Sequence, residues 1–418
     1  MKRIIICTAL AIGLGACSTK QTMESKIDLA NLDLTQDPGT DFFEYATGGW
    51  RKANPLTDEY ARYGQFDALR EKNREQLQEL VLEQAGKESA PGSNAQKVGD
   101  LYNLVMDSTR RNALGTEPVR PIMSEIAAIT DRSEIIPLMA KNYRLGIGGF
   151  FGTGIGTDIM NSDNNQLGIY QGGLSLPEKE YYSATDEVST NIRAHFREYI
   201  VNMFKLHGFS QQEAESKMEA VMGIETRIAE KHLSRVERRN PMNSYHKMSY
   251  AQLKEEIPGI DWDAYYSTLG ITGIEELNLA HPEAIKEVAA IINEVELSDL
   301  IAYLEWRVIR STSNELTDAL EAETFAFYGT VISGKKQQQP RWKRALDAVN
   351  GALGDVIGEL YVAKFFPPEA KERMTTLVRN LQIALGERID AQEWMSAETK
   401  SAAHEKLNTF TVKIGYPD

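Results

Sequence analysis

Residues 66–84, FDALREKNREQLQELVLEQ, decide the reading of the fold. Leu69, Leu77, Leu80, Val81 and Leu82 recur there at helical spacing through a charged segment, which gives a helix one apolar face. Ser89-Ala90-Pro91-Gly92-Ser93 then punctuates the pattern as a loop. Working outward, the same spacing predicts helices over 95–111, 119–129 and 133–143. It resumes after Thr190 and covers 211–233, 298–309, 316–328, 344–365, 368–389 and 397–410. Pro282 fits the first turn of a further helix that reaches Val295.

The texture changes at 146–171. A glycine-rich run, Gly146 to Gly156, precedes Asn161-Ser162-Asp163-Asn164-Asn165, a turn signal, and then Gln166-Leu167-Gly168-Ile169-Tyr170. This predicts a short β-hairpin turning at 161–165. The glycines do not form a nucleotide loop: Gly152-Thr153-Gly154-Ile155-Gly156 breaks the G-x-G-x-x-G spacing, and no Lys-Ser or Lys-Thr follows. Glycines in strands more often mark bulges or close backbone approach. The expected fold class is mainly α with a small β-hairpin element, without a fixed-period repeat.

The 418 residues carry 42% hydrophobic and 25% charged side chains, ordinary globular values, and enough chain for more than one domain. At the N-terminus, Lys2 and Arg3 precede 13 mostly apolar residues ending Leu14-Gly15-Ala16-Cys17. A basic start, a short apolar run and small residues at the cut describe a secretory signal. The run falls short of the ~20 residues a spanning helix needs. The Leu-x-Ala-Cys ending is similar to a bacterial lipoprotein box, in which Cys17 would be lipidated. The expected organisation is a signal at 1–16, a polar tether at 17–36 and a folded region at 37–418. Cys17 would be the only cysteine left, so no intramolecular disulfide is expected. Losing Lys2 and Arg3 takes the net charge from −14 to −16, a sign that opposes nucleic-acid binding. The expected location is a bacterial cell envelope, periplasmic or surface-facing, with the membrane engaged through the N-terminal lipid.

Chemistry is harder to place. A gluzincin site needs two histidines one helical turn apart with glutamate beside the first. The six histidines contain no pair four residues apart, and His404-Glu405 is followed by Asn408 where a second ligand would stand. His232 and His246 lie fourteen apart, without ligand spacing. G-x-S-x-G is absent from the sequence. With 60 carboxylates, chance pairs are unavoidable and no dyad can be argued without geometry. The residues assign no catalytic group and no metal ligand in this chain.

Asp37-Pro38-Gly39-Thr40-Asp41-Phe42-Phe43-Glu44-Tyr45-Ala46-Thr47-Gly48-Gly49-Trp50 resembles the opening signature of the neprilysin and endothelin-converting-enzyme family. Further stretches match in the family's order: Arg62-Tyr63-Gly64-Gln65-Phe66-Asp67, Gly173-Leu174-Ser175-Leu176-Pro177 with Tyr181-Tyr182, and Pro258-Gly259-Ile260-Asp261-Trp262. Leu353-Gly354-Asp355-Val356-Ile357-Gly358 and the terminal Ile414-Gly415-Tyr416-Pro417-Asp418 complete the series, which is collinear over 37–418. Gly39 and Thr47 replace the family's paired cysteines, so the chain looks like a bacterial, disulfide-free member.

The resemblance implies the helical lobe of a two-lobed zinc metalloendopeptidase acting on small peptides. The thermolysin-like lobe, with the zinc ligands and catalytic glutamate, would lie beyond Asp418 and be largely absent here. Zinc is thus expected in the full-length enzyme and not on this chain alone, and the missing catalytic region is an expected partner. One family role maps onto these residues. The matched arginine, aspartate and following arginine, Arg62, Asp67 and Arg70, would line a primed-side subsite, because guanidinium pairs bidentately with a peptide's terminal carboxylate. The competing account makes Arg62 and Arg70 members of surface ion pairs worth about 0–1 kcal/mol. Trp50, Phe66, Trp262 and Tyr361 are expected as core aromatics, and Arg235, Arg238 and Arg239 as a solvated or ion-paired face. A second hypothesis is a surface lipoprotein that retains a peptide-binding or scaffold role without catalysis.

Overall fold

The computed structural model describes residues 28–417; the expected signal, Cys17 and the first part of the tether lie outside them. Two compact units divide near Thr57. In the first, α1 (Phe42–Ala53) is capped by the Asp41 side chain on the Glu44 N–H. Residues 28–36, expected as tether, fold back as a single 3-10 turn, Leu29–Asn31, followed by Asp33, whose carboxylate holds Lys52 at 2.7 Å. Gly49 permits this approach: a Cβ there would lie 2.2 Å from the Ala30 carbonyl oxygen.

The second unit contains α2 (Gln65–Ala85), α3 (Asn94–Met106), α4 (Ser108–Leu114), α5 (Arg120–Ala127), α6 (Ile135–Tyr143), α7 (Glu180–Ser183), α8 (Glu187–Leu206) and α9 (Gln211–Lys231). It continues with α10 (Tyr250–Glu256), α11 (Trp262–Leu269), α12 (Pro282–Glu294), α13 (Leu297–Thr312), α14 (Asp318–Thr324), α15 (Arg341–Phe365), α16 (Pro368–Asp390) and α17 (Ala397–Asn408). The helix expected over 95–111 breaks at Asp107, which ends α3 and caps α4 by accepting the Arg110 N–H at 2.9 Å. The one expected over 316–328 begins as α14 and widens into a π-helix, Phe325–Ile332.

The hairpin is present and larger than expected. β1 (Phe151–Asp158) and β2 (Asn161–Gln171) pair antiparallel, but the chain reverses at Ile159 and Met160, not at 161–165. Asp158 accepts the Met160 N–H and closes that reversal at 2.9 Å. Thr157 faces Asn165 while Asp158 faces Asn161, so the polar run becomes a bulge in β2. β4 (Glu276–Leu279) then adds parallel to β2, with Leu167 opposite Leu277, and β3 (Lys247–Ser249) pairs antiparallel with β4. The result is a four-stranded sheet in the order β1-β2-β4-β3.

Two hydrophobic cores form in this unit. The first runs from Val119 to Phe327 and encloses Trp306, Tyr199, Phe196, Phe204 and Trp262. Tyr199 stacks on Phe327 with ring centroids 5.1 Å apart. Glu225 lies fully inside it. Its carboxylate accepts from the Ser175 N–H (3.0 Å), the Ser175 hydroxyl (2.6 Å) and the Tyr182 hydroxyl (2.5 Å), while Trp306 Nε1 donates to Ser175 Oγ. Burial still pushes this carboxyl above its ordinary range, against those bonds. The second core is a small layer made by α2, α3 and α15: Val81, Val98, Tyr102, Ala345, Leu346, Val349 and Ile357.

Of the four aromatics expected inside, Trp262 is buried and Trp50 and Tyr361 are half-buried. Phe66 is 84% exposed, which corrects the expectation. It falls on the same stripe of α2 as Leu77, but the helices that cover that stripe engage α2 from Glu71 onward, through Lys343. Five residues of helix place Phe66 about 7.5 Å beyond that point.

Candidate functional site

The site grows from the loop that feeds α2. Gly64 is the last residue before the helix, and Asp67, three residues on, folds its Oδ2 back onto the Gly64 N–H at 3.0 Å. A carboxylate in the first turn also meets the positive end of the helix dipole. Its other oxygen accepts from Arg70 Nη1 at 3.2 Å, an exposed pair of modest worth. Asp67 is therefore spent on local geometry. Arg62, two residues ahead of Gly64, is exposed and forms no ion pair among the described residues. Arg62, Phe66 and Arg70 thus crowd the start of one helix with two exposed cations and an exposed ring.

Behind this surface lies a denser network. Tyr60 donates its hydroxyl to Glu71, and Tyr60 and Tyr63 meet edge-on with centroids 5.1 Å apart. Lys343 Nζ sits 2.9 Å from Glu59 Oε2 and 2.6 Å from Glu71 Oε2. Arg74 bridges Glu71 at 3.0 Å and Asp347 at 2.8 Å. Burial alone would raise the Glu71 carboxyl, but the bonds from Lys343, Tyr60 and Arg74 outweigh it and hold the group below its ordinary range. Burial, followed by the Glu71 charge, drives both tyrosine hydroxyls upward. Reading the sequence alone passes over Lys343, Glu71 and Tyr60, because a charged residue on a helix is ordinarily a solvated one.

A second charged cluster joins α4 to α14 and α15. Arg111 Nη2 reaches Asp318 at 2.6 Å and Glu321 at 2.7 Å, Arg341 also reaches Asp318, and Arg344 Nε lies 2.7 Å from Glu321. Asp318 is held well below the usual carboxylate range by the Asn112 amide and by the two arginines. Arg111, Glu321, Arg341 and Arg344, together with the apolar Leu101, Leu104 and Val105, line a cavity of about 740 Å³. Another cavity, of about 610 Å³, lies between Asn73, Tyr361 and Tyr416. Arg62, Asp67 and Arg70 line neither.

Among the described residues no three His, Cys, Asp or Glu side chains are grouped so as to hold a metal ion. The buried histidines have structural work. His281 accepts the Gln171 N–H on Nδ1, so its Nε2 carries the proton that faces Ser244 Oγ at 3.1 Å. His232 donates Nε2–H to the Gly172 carbonyl at 3.1 Å. Of the basic cluster, Arg238 lies 3.7 Å from Glu178, an ion-paired face as expected. Cys17 is outside the described residues.

Comparison with known proteins gives these residues a context. Human endothelin-converting enzyme 1 is 28% identical over 403 residues, 93% of this chain and 52% of that protein. The chain therefore spans about half of that relative's length. The crystal structure of Mycobacterium tuberculosis zinc metalloprotease Zmp1 with an inhibitor superposes with a TM-score of 0.87 at 31% identity, covering 94% of this chain and 60% of that one. PepO from Lactobacillus rhamnosis shares the fold at a TM-score of 0.79 and 22% identity, over 91% of this chain and 60% of PepO. The profile of peptidase family M13 matches residues 38–417. With the match running through the helical cores and the α2 loop alike, the chain belongs to peptidase family M13.

Proposed function

We propose that this chain is the helical part of a lipid-anchored zinc metalloendopeptidase, and that Arg62 recognises the terminal carboxylate of a short peptide. The observation that carries this reading is the state of Arg62. It is exposed, without an ion pair among the described residues, at the head of a helix whose neighbouring acid, Asp67, is already committed to Gly64 and Arg70. An uncommitted guanidinium is free to take a carboxylate bidentately. Phe66, exposed in the first turn of the same helix, supports the same reading as an apolar rest for a peptide side chain.

M13 enzymes are zinc-dependent, yet this chain's described residues assemble no donor set, so they do not fit a zinc centre and no hydrolytic step is assigned to them. We assign that chemistry to a C-terminal region of the full-length enzyme. Leu377, Leu381, Ile383 and Leu385 on α16, with Trp394 and Phe410, are exposed apolar side chains that such a region would cover. Anchoring at Cys17 in a bacterial envelope rests on the Leu14-Gly15-Ala16-Cys17 sequence. No helix among the described residues is long and apolar enough to cross a membrane.

The experiment uses the full-length protein and paired peptides ending in a free carboxylate or an amide. Arg62→Ala is expected to lower kcat/KM for the free acid by roughly ten-fold or more, the worth of a charge-assisted hydrogen bond. The amide should be cleaved as before. An unchanged preference would overturn the assignment, and chelator-resistant cleavage would overturn the zinc reading.

A further inference from the structure

Among the described residues no side-chain bond fixes Arg62, so its placement depends on what holds the loop on either side. Upstream, the Asp58 carbonyl accepts the N–H groups of Lys336 (3.0 Å) and Gln337 (2.9 Å). Glu59 receives Lys343 Nζ at 2.9 Å. Downstream, the same ammonium lies 2.6 Å from Glu71 on the second turn of α2, and Tyr60 closes the ring by donating to that carboxylate. One lysine, 281 residues further along the chain than Arg62, thus straddles the loop from both ends. Its side chain is only 10% exposed, and the ammonium also lies 6.0 Å from the centre of the Tyr60 ring.

A lysine this buried differs from a surface pair. An ammonium taken from water is tolerable only with its partners in place, so the network favours one arrangement of Glu59, Tyr60 and Glu71 over splayed alternatives. Lys343 is itself clamped. Arg341 and Arg344 on the same helical turn bind Asp318 and Glu321, so the first turn of α15 grips α14 on one side and the loop on the other. Bidentate recognition of a carboxylate tolerates little positional slack.

We propose that Lys343 is a positioning residue for the Arg62 subsite, acting through Glu59, Tyr60 and Glu71. The inference rests on the reading of Arg62 given above. It deepens that reading by placing the determinant of primed-side specificity partly on α15.

The test compares Lys343→Met, Lys343→Arg, Tyr60→Phe and Arg62→Ala in the full-length enzyme, on the same free-acid and amide peptides. With Lys343→Met the preference for the free acid should fall by roughly ten-fold, through KM with little change in kcat. Lys343→Arg, which keeps the cation and both acidic partners within reach, should recover most of it. If Lys343→Met keeps the preference that Arg62→Ala loses, the positioning role is overturned and the subsite reading stands. If Arg62→Ala also keeps the preference, both fall. Should Lys343→Met not fold by circular dichroism, Tyr60→Phe decides: a two- to three-fold loss of preference is expected from one weakened bond, and no loss overturns the proposal.

Discussion

The two hydrophobic cores of the second unit differ in kind. The larger closes on itself: aromatic rings meet in several directions around Trp306, and even the buried Glu225 has its oxygens occupied by Ser175 and Tyr182. The smaller is a thin layer between α2, α3 and α15, and beyond it α16 buries only Gly386 along its 23 residues. Stability therefore resides in the first region, while the candidate recognition surface lies on the second. The candidate surface thus lies where the protein is least supported by its own packing, and there the Lys343 network joins Glu59 to Glu71.

Breaking either core should expose the difference. Trp306→Ala empties a fully enclosed site and should cost about 3–5 kcal/mol in denaturant unfolding. Leu346→Ala should cost about 2–3 kcal/mol, with amide protection lost only on α2, α3 and α15. Equal costs and one shared loss of protection would dissolve the distinction.

Acid should separate the regions next. His207, His232 and His281 lie at the ends of α8, α9 and α12, helices of the larger core, and are held down to about 4, by burial first, with Arg238 adding to it at His281. Free histidine ionises near 6.5, so below that pH the unfolded chain takes up protons that the folded chain refuses. The stabilisation is complete above pH 6.5 and drains away as pH falls towards 4. By pH 5 the three together should have lost about 3 kcal/mol after allowance for partial solvent contact. α2, α3 and α15 contain no histidine, so hydrogen exchange at pH 5 should loosen the helices of the larger core first. The reverse order would contradict this assignment.

The smallest effects belong to the candidate surface around Phe66 and Arg70. Phe66→Ala should shift stability by less than about 0.5 kcal/mol, whereas a core phenylalanine would cost about 3–5. Arg70→Ala should cost at most about 1 kcal/mol, since its pair with Asp67 is solvent-exposed. A large loss at either would mean that this face is covered.

How much of this was legible in the sequence depends on the range of the interactions. The helices of 66–84 and 211–233 were, because their apolar residues repeat within a few positions. β3 and β4 were not: three and four residues are too few for a period, and they are strands only because β2 lies beside β4. The turn at Ile159 escaped because the polar residues after it looked the better turn, while Asp158 alone closes the reversal. At the candidate site, Arg62, Asp67 and Arg70 are proposed from a motif, and periodicity does not single them out. Phe66 was misplaced for the opposite reason: its position on the helix is right for burial, but the covering helices stop short. Lys343 was invisible because its partners Glu59 and Glu71 are more than 270 residues away in the chain.

The parallel pairing of β2 with β4 also sets a schedule. Leu167 cannot meet Leu277 until 110 more residues have been made. At about 5–20 residues per second, that leaves one edge of the nascent hairpin open for roughly 5–20 seconds on the ribosome. An open edge invites other strands. The stretch of β2 that waits for β4, Leu167-Gly168-Ile169, is only three residues long with a glycine at its centre, and so short an edge is a weak template until its partner is made.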